Sequence, residues 1–157
     1  MKLVEARDEH FAWLLDEAEA PRGLTQPPGG VDQAAVYRWL RRELRERGGR
    51  GQWLMVAHGE VVGLCGRKGV PNEAGEVEIG YGVAPVRRRL GYATRAVGIM
   101  IEAARADPAV CVLTAQTALN NRPSQRVLEA NGFAVVGRSH DDEEGEMIVW
   151  RREVEPT

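Results

Sequence analysis

Lysine is almost missing from this 157-residue chain: only Lys2 and Lys68 occur, and arginine supplies nearly all the positive charge. With a formal net charge of -2, the chain lacks the basic excess that a nucleic-acid partner needs. Two cysteines, Cys65 and Cys111, both in strand-like stretches, are too few for a disulfide scaffold and read as buried thiols of a reducing cytoplasm. Three histidines, His10, His58 and His140, stand far apart and match no zinc spacing. No stretch nears the roughly 18 apolar residues of a membrane span. The start, MKLVEARDEH, turns acidic at once instead of continuing as a signal segment. A cytoplasmic protein without membrane or nucleic-acid partners is the expectation.

What is present is 43% hydrophobic and 28% charged residues, enough for one globular domain over 1–157. Leu3 to Ala6 reads as a short strand. Asp8 reads as an N-cap for a helix from His10 to Ala20, and Asp32 as the cap of a second from Gln33 to Arg47. The breaker-rich PRGLTQPPGG between them is a loop, long enough to be mobile. Trp53 to Ala57 and Val61 to Cys65 form a hairpin around His58-Gly59-Glu60. Glu76 to Val83 alternates as a strand and stops at Pro85, with Glu76, Glu78 and Gly80 on its more polar face. A helix follows from Thr94, then a strand from Val110 to Thr117. A short helix spans about Arg122 to Asn131, and closing strands Phe133 to Val136 and Met147 to Trp150 flank a polar connection, His140 to Glu146.

The residues between the central strand and its helix are the most informative. A strand, a basic turn and a helix N-terminus make an anion cradle, because free backbone N–H groups and the helix dipole converge there. A solvent-facing crossover is the plainer alternative. The turn reads Arg88-Arg89-Leu90-Gly91-Tyr92-Ala93, an R-x-x-G-x-A pattern followed by Thr94. Downstream come Asn121-Arg122-Pro123-Ser124 and the run Val127 to Phe133, which ends in Asn131-Gly132-Phe133. In this order and separation the two motifs resemble the GNAT superfamily of N-acetyltransferases. Within it they are similar to the branch of ribosomal-protein alanine acetyltransferases. The resemblance covers residues 3 to 152 and is closest over about 76–137. The front region, about 8–50, corresponds to the family's variable acceptor-binding part.

The resemblance implies an α/β fold: a mixed, mostly antiparallel central sheet flanked by helices, with its fourth and fifth strands parting at one end. It also implies acetyl-CoA as co-substrate. The pantetheine arm would pair with the backbone of Tyr81, Gly82 and Val83. The pyrophosphate would rest on the amides of Arg89, Leu90, Gly91, Tyr92, Ala93 and Thr94, with Arg88 and Arg87 adding charge. Family members often carry glycine at the position of Arg89. Asn121 and Ser124 would contact the cofactor, although either could be only an N-cap. Ser124 is the candidate general acid, since Tyr81 and Tyr92 fall inside the cofactor segments. Glu78, with Glu76 on the same face, is the candidate base that takes a proton from an attacking amine. A backbone amide near Tyr81 to Val83 would stabilise the oxyanion.

The acceptor would be a small-molecule amine or a protein N-terminus, held between the front loop around Arg22 to Gly30 and the acidic run Asp141 to Glu144. Direct transfer in a ternary complex is the expectation, and an idle acyl-CoA-binding or sensory domain of the same fold is the alternative. The final strand and exposed aromatics could also pair two copies into a homodimer.

Overall fold

A strand with one apolar and one polar face can sit inside a sheet with its apolar face on a core, and Glu76–Val83 lies in the middle of a seven-stranded sheet. The computed structural model describes residues 1–156. Its elements run β1 (Lys2–Glu5), α1 (Asp8–Leu14), α2 (Ala34–Glu46), β2 (Gln52–Ala57), β3 (Glu60–Lys68) and β4 (Glu76–Val83). They continue with α3 (Tyr92–Arg105), β5 (Val112–Ala118), α4 (Arg122–Ala130), β6 (Ala134–Asp141) and β7 (Gly145–Glu153). The strand order is β1-β2-β3-β4-β5-β7-β6. All neighbours are antiparallel except β4 and β5. This is the mixed, mostly antiparallel sheet with flanking helices that the sequence implies.

Each face of the sheet has its own core. Val77 and Ile79 of β4 point to α3 and α4, where Val97, Met100, Leu113 and Leu128 pack with them. Leu54 and Leu64, on the opposite face, pack with Phe11, Leu14 and Leu44 of α1 and α2. Glycine lies in the interior of α3 at Gly98, which is not in a left-handed conformation. A β-carbon there would meet only Asn131 Oδ1, at an ordinary 3.5 Å. Gly98→Ala is therefore expected to raise stability by about 0.5–1 kcal/mol in urea unfolding, by removing backbone freedom from the unfolded chain.

Several boundaries differ from expectation. Helix α1 ends at Leu14, not Ala20, because the chain turns out of it at Asp16 (φ 60°). The apolar periodicity that continued to Ala18 is not used, and Ala18 is exposed. Asp8 lies inside the first turn and Arg7 is the N-cap. Instead of capping, its carboxylate accepts from Arg41 Nε (2.8 Å) and Arg45 Nε (2.9 Å), tying α1 to α2. The Arg41 hydrogen bond, opposed by partial burial, holds Asp8 well below the usual carboxylate range.

Gln33, not Asp32, caps α2; Asp32 Oδ1 accepts from the Gln33 amide at 2.7 Å. The polar connection shrinks to residues 142–144, because β6 and β7 keep pairing out to Asp141↔Gly145. Strand β6 is exposed along most of its length, so no apolar alternation marked its true extent. The front loop is anchored: Thr25 accepts from the Val61 amide (2.9 Å) and donates to Gly59 O (3.0 Å). Cys65 is buried, but Cys111 is exposed, contrary to the expectation of two buried thiols. Among the described residues no helix is long and apolar enough to cross a membrane.

Candidate active site

Strands β4 and β5 pair over only three positions, Glu76↔Val112, Val77↔Leu113 and Glu78↔Thr114. Beyond Glu78 they separate. Ile79 to Val83 stay paired with β3, and Ala115 to Ala118 stay paired with β7. Two strand edges with free backbone groups thus face one another across a gap in mid-sheet. Such an edge can pair with an extended ligand that carries amides. Tyr81, Gly82 and Val83 form the β4 edge.

The basic turn lies past the open end of β4. Among the described residues, its first backbone hydrogen bond is from Arg95 N to Gly91 O (3.1 Å). Among the described residues no amide from Arg88 to Thr94 has a protein acceptor. Helix α3 begins at Tyr92, two residues earlier than expected, so Tyr92, Ala93 and Thr94 form its first turn and their amides add to the cradle. Gly91 is the N-cap with φ 81°, and nothing stands within 4 Å of where its β-carbon would be. Arg89 also adopts a left-handed conformation (φ 67°). The backbone thus keeps the geometry glycine favours, at a cost of roughly 1 kcal/mol. Leu90 is exposed.

The arginines are partly engaged. Arg88 Nε donates to Val83 O at 3.2 Å. Arg87 grips Glu60 through two hydrogen bonds, at 2.7 and 3.1 Å, and so fastens the turn to β3. It is not available as the extra cation the sequence suggested.

Helix α4 starts at the other side of the gap. Asn121 is its N-cap, with Oδ1 accepting from Ser124 N at 3.3 Å, so the plain capping role is real for this residue. Ser124 Oγ lies 2.8 Å from the Tyr81 hydroxyl, which also donates to Ser124 O at 3.1 Å. Burial pushes the Tyr81 phenol up to about 12, the Ser124 hydrogen bond opposing it. Sequence reasoning set Tyr81 aside as part of the cofactor strand. Its contact with Ser124, 43 residues away, has no signal in local spacing.

Glu78 stands at the closed end of the gap. Its carboxylate takes an ion pair from Lys68 Nζ (3.0 Å) and a hydrogen bond from Gln116 Nε2 (3.1 Å). Gln116 in turn accepts from Ser139 Oγ at 2.6 Å. The chain Lys68, Glu78, Gln116 and Ser139 joins side chains of β3, β4, β5 and β6 on one face, reaching across β7. Glu76 lies farther back, in the paired part of β4, with its backbone tied to Asn72. A cleft of about 350 Å³ covers the gap on the side of α2. Asp32, Trp39, Gln52, Gly80, Tyr81 and Ser124 line it, and Glu78 does not. Asp32 and Gln52 carried no functional signal in the sequence. Cys65, its thiol pushed up to about 12 by burial, is unsuited to act as a nucleophile.

These features are those of an acetyltransferase fold. A family model described as an acetyltransferase (GNAT) domain matches residues 1–134, and the chain belongs to that family. YjdG of Bacillus subtilis (strain 168), described as an uncharacterized N-acetyltransferase, is 34% identical over 93 residues. That match covers 58% of this chain and 55% of the relative, so the chain spans about half the length of that protein. Among solved structures, RimL, the ribosomal L7/L12 alpha-N-protein acetyltransferase in complex with coenzyme A, superposes with a TM-score of 0.75 at 15% identity. The superposition covers 99% of this chain and 94% of that one. Mycobacterium smegmatis RimJ in complex with CoA-disulfide gives a TM-score of 0.66 at 24% identity, over 76% and 62% of the two chains. Likeness at these identities establishes the fold.

Proposed function

We propose that the chain is an acetyl-CoA-dependent N-acetyltransferase of the branch that includes RimJ and RimL, acting on a primary amine, whether a small molecule or a protein N-terminus. The observation that carries this reading is the parting of β4 and β5 beside a turn whose amides, Arg88 to Thr94, have no acceptor among the described residues. A diphosphate wants several converging N–H donors, and an amide-bearing arm wants a free strand edge. The residues present therefore fit the co-substrate. When bound, it supplies the acetyl group as an activated thioester. Tyr81, Gly82 and Val83 offer the strand edge; Arg88 to Thr94 offer the cradle, with Gly91 allowing close approach.

Glu78 is the proposed base. Its lone pairs could take the amine proton, directly or through water, while Lys68 and Gln116 hold the carboxylate in one orientation. Tyr81 stays protonated at neutral pH, so the pair Tyr81 Oη and Ser124 Oγ holds a transferable proton at the gap. Asn121 positions Ser124 through the cap. Glu78→Gln keeps the shape but cannot accept the proton. It is expected to lower kcat/KM by about a hundredfold or more while acetyl-CoA affinity stays near wild type.

The test is calorimetric titration with acetyl-CoA, followed by thiol release over a panel of amines and peptides. A folded protein that binds no acetyl-CoA overturns the assignment. One observation favours a second reading, an idle acyl-CoA-binding domain: both Glu78 oxygens are already engaged and the residue does not line the cleft. That reading predicts binding without thiol release for any amine.

A further inference from the structure

The cleft over the gap is unusual in what it leaves unpaired. Gln52 is only 4% exposed, yet only half of its amide is used. Its Nε2 donates to Arg67 O at 3.1 Å, whereas Oε1, seated over Gly66, has no partner among the described residues. A β-carbon on Gly66 would stand 2.2 Å from that oxygen and 2.7 Å from the Gly51 carbonyl oxygen, and since the backbone carbonyl cannot swing away, glycine is required beneath it. The carbonyl oxygen of a nearly buried glutamine that lines a cleft and has no donor is a place for a ligand's N–H.

The charges around it have the same sense. Asp32, from the start of α2, lies over β4, its Oδ2 3.8 Å from where a Gly82 β-carbon would be. Its amide donates to the buried Tyr37 hydroxyl (2.7 Å) and its Oδ1 accepts from Gln33 N, which fixes the carboxylate in place. Glu144, from the β6–β7 turn, lines the same cleft. Neither acid is in an ion pair among the described residues. The cations are all committed: Lys68 to Glu78 at 3.0 Å and Arg67 to Asp107 at 2.9 Å. Between them the wall is apolar, formed by Val36, Leu40 and Trp39, whose ring is 38% exposed.

From this we infer that the acceptor site takes an amine with a second cationic or N–H-rich group joined to the first by an apolar spacer, and rejects amines that carry a free carboxylate. Asp32 and Glu144 supply the charge, Gln52 Oε1 a directed acceptor, and Trp39 the surface for the spacer. The inference rests on reading this cleft as the acceptor side of the proposed transferase. A carboxylate-bearing acceptor would find no free cation and two repelling acids.

Three probes of equal length separate the terms: 1,4-diaminobutane, 1-aminobutane and 4-aminobutanoate, titrated calorimetrically into the full chain at one fixed low salt concentration. The diamine is expected to bind about tenfold more tightly than the monoamine, with the amino acid weakest. Asp32→Asn retains the turn and should erase most of the diamine's advantage, and Glu144→Gln part of it. A tripeptide amide with an N-terminal ammonium and a lysine side chain presents the same pair of charges. Tighter binding of that peptide than of the diamine would support the charge pairing and identify protein N-termini as its source. Equal affinities for the three probes, no binding of any, or an undiminished diamine advantage in Asp32→Asn would overturn the inference. Thiol release is scored separately. Diamine binding with no acetyl transfer to any amine would reject the transferase reading and leave the cation site standing.

Discussion

Gly91→Trp is expected to lower acetyl-CoA affinity by about a hundredfold or more, equivalent to about 3 kcal/mol, in a calorimetric titration beside the wild type. Space is the first effect. Nothing lies within 4 Å of the point where the Gly91 β-carbon would stand, so a side chain there starts in open space. It would occupy the open volume in front of the amides of Arg88 to Thr94, where the proposed diphosphate would sit. The backbone adds a second effect. Gly91 has φ 81° and is the N-cap of α3, a conformation that costs any L-residue roughly 1 kcal/mol. Gly91→Ala carries that strain with little of the bulk, and should weaken binding far less. Circular dichroism and a thermal melt of both variants separate misfolding from blocked binding. Unchanged affinity in a folded Gly91→Trp would remove the turn from the site.

Gly63→Val should destabilise the protein by about 3 kcal/mol, read as a lower midpoint in urea unfolding. Gly63 lies on β3 opposite Val83. A β-carbon there would come 2.5 Å from the Gly82 carbonyl oxygen and 2.7 Å from Met55 Sδ. The methionine could move, but the carbonyl belongs to the central strand and can yield only by opening the β3–β4 pairing. That strand also forms one edge of the gap, so acetyl-CoA binding should weaken along with stability. Gly98→Ala, whose new methyl meets no such obstacle, is the internal contrast. A Gly63→Val protein as stable as wild type would mean that β4 shifts freely, and the rigid gap described above would not hold.

Local chemistry made much of this protein legible in advance. The alternation of β4 set its bounds at Glu76–Val83, because a strand buried on one face must repeat every two residues. The order of the arginine-rich turn, Gly91, and the Asn121 to Ser124 segment marked a GNAT domain, because these residues act through backbone geometry close to their own positions. Even the substitution at Arg89 was readable as a departure, and the structure adds that the left-handed backbone is kept there.

Contacts between distant elements were not legible. Nothing in the spacing of Tyr81 and Ser124 announces a hydroxyl pair at 2.8 Å, since the pair depends on α4 being set against the gap. Likewise Glu78 reads alone as a free base, whereas the folded sheet brings Lys68 and Gln116 to it from the two neighbouring strands, with Ser139 behind Gln116. Asp32 looked like a helix cap and Gln52 had no apparent role, yet the packing of α2 over the sheet turns both into the cleft. The length of α1 and the reach of β6 and β7 failed for a related reason. Periodicity indicates which face is apolar, not whether a partner element is there to cover it. The sequence by itself determined the family, the central strand and the basic turn before α3, because each rests on short-range sterics and backbone hydrogen bonding. Only the tertiary structure decided which charges are spent on one another and which remain for a ligand, because ion pairing depends on distances across the sheet.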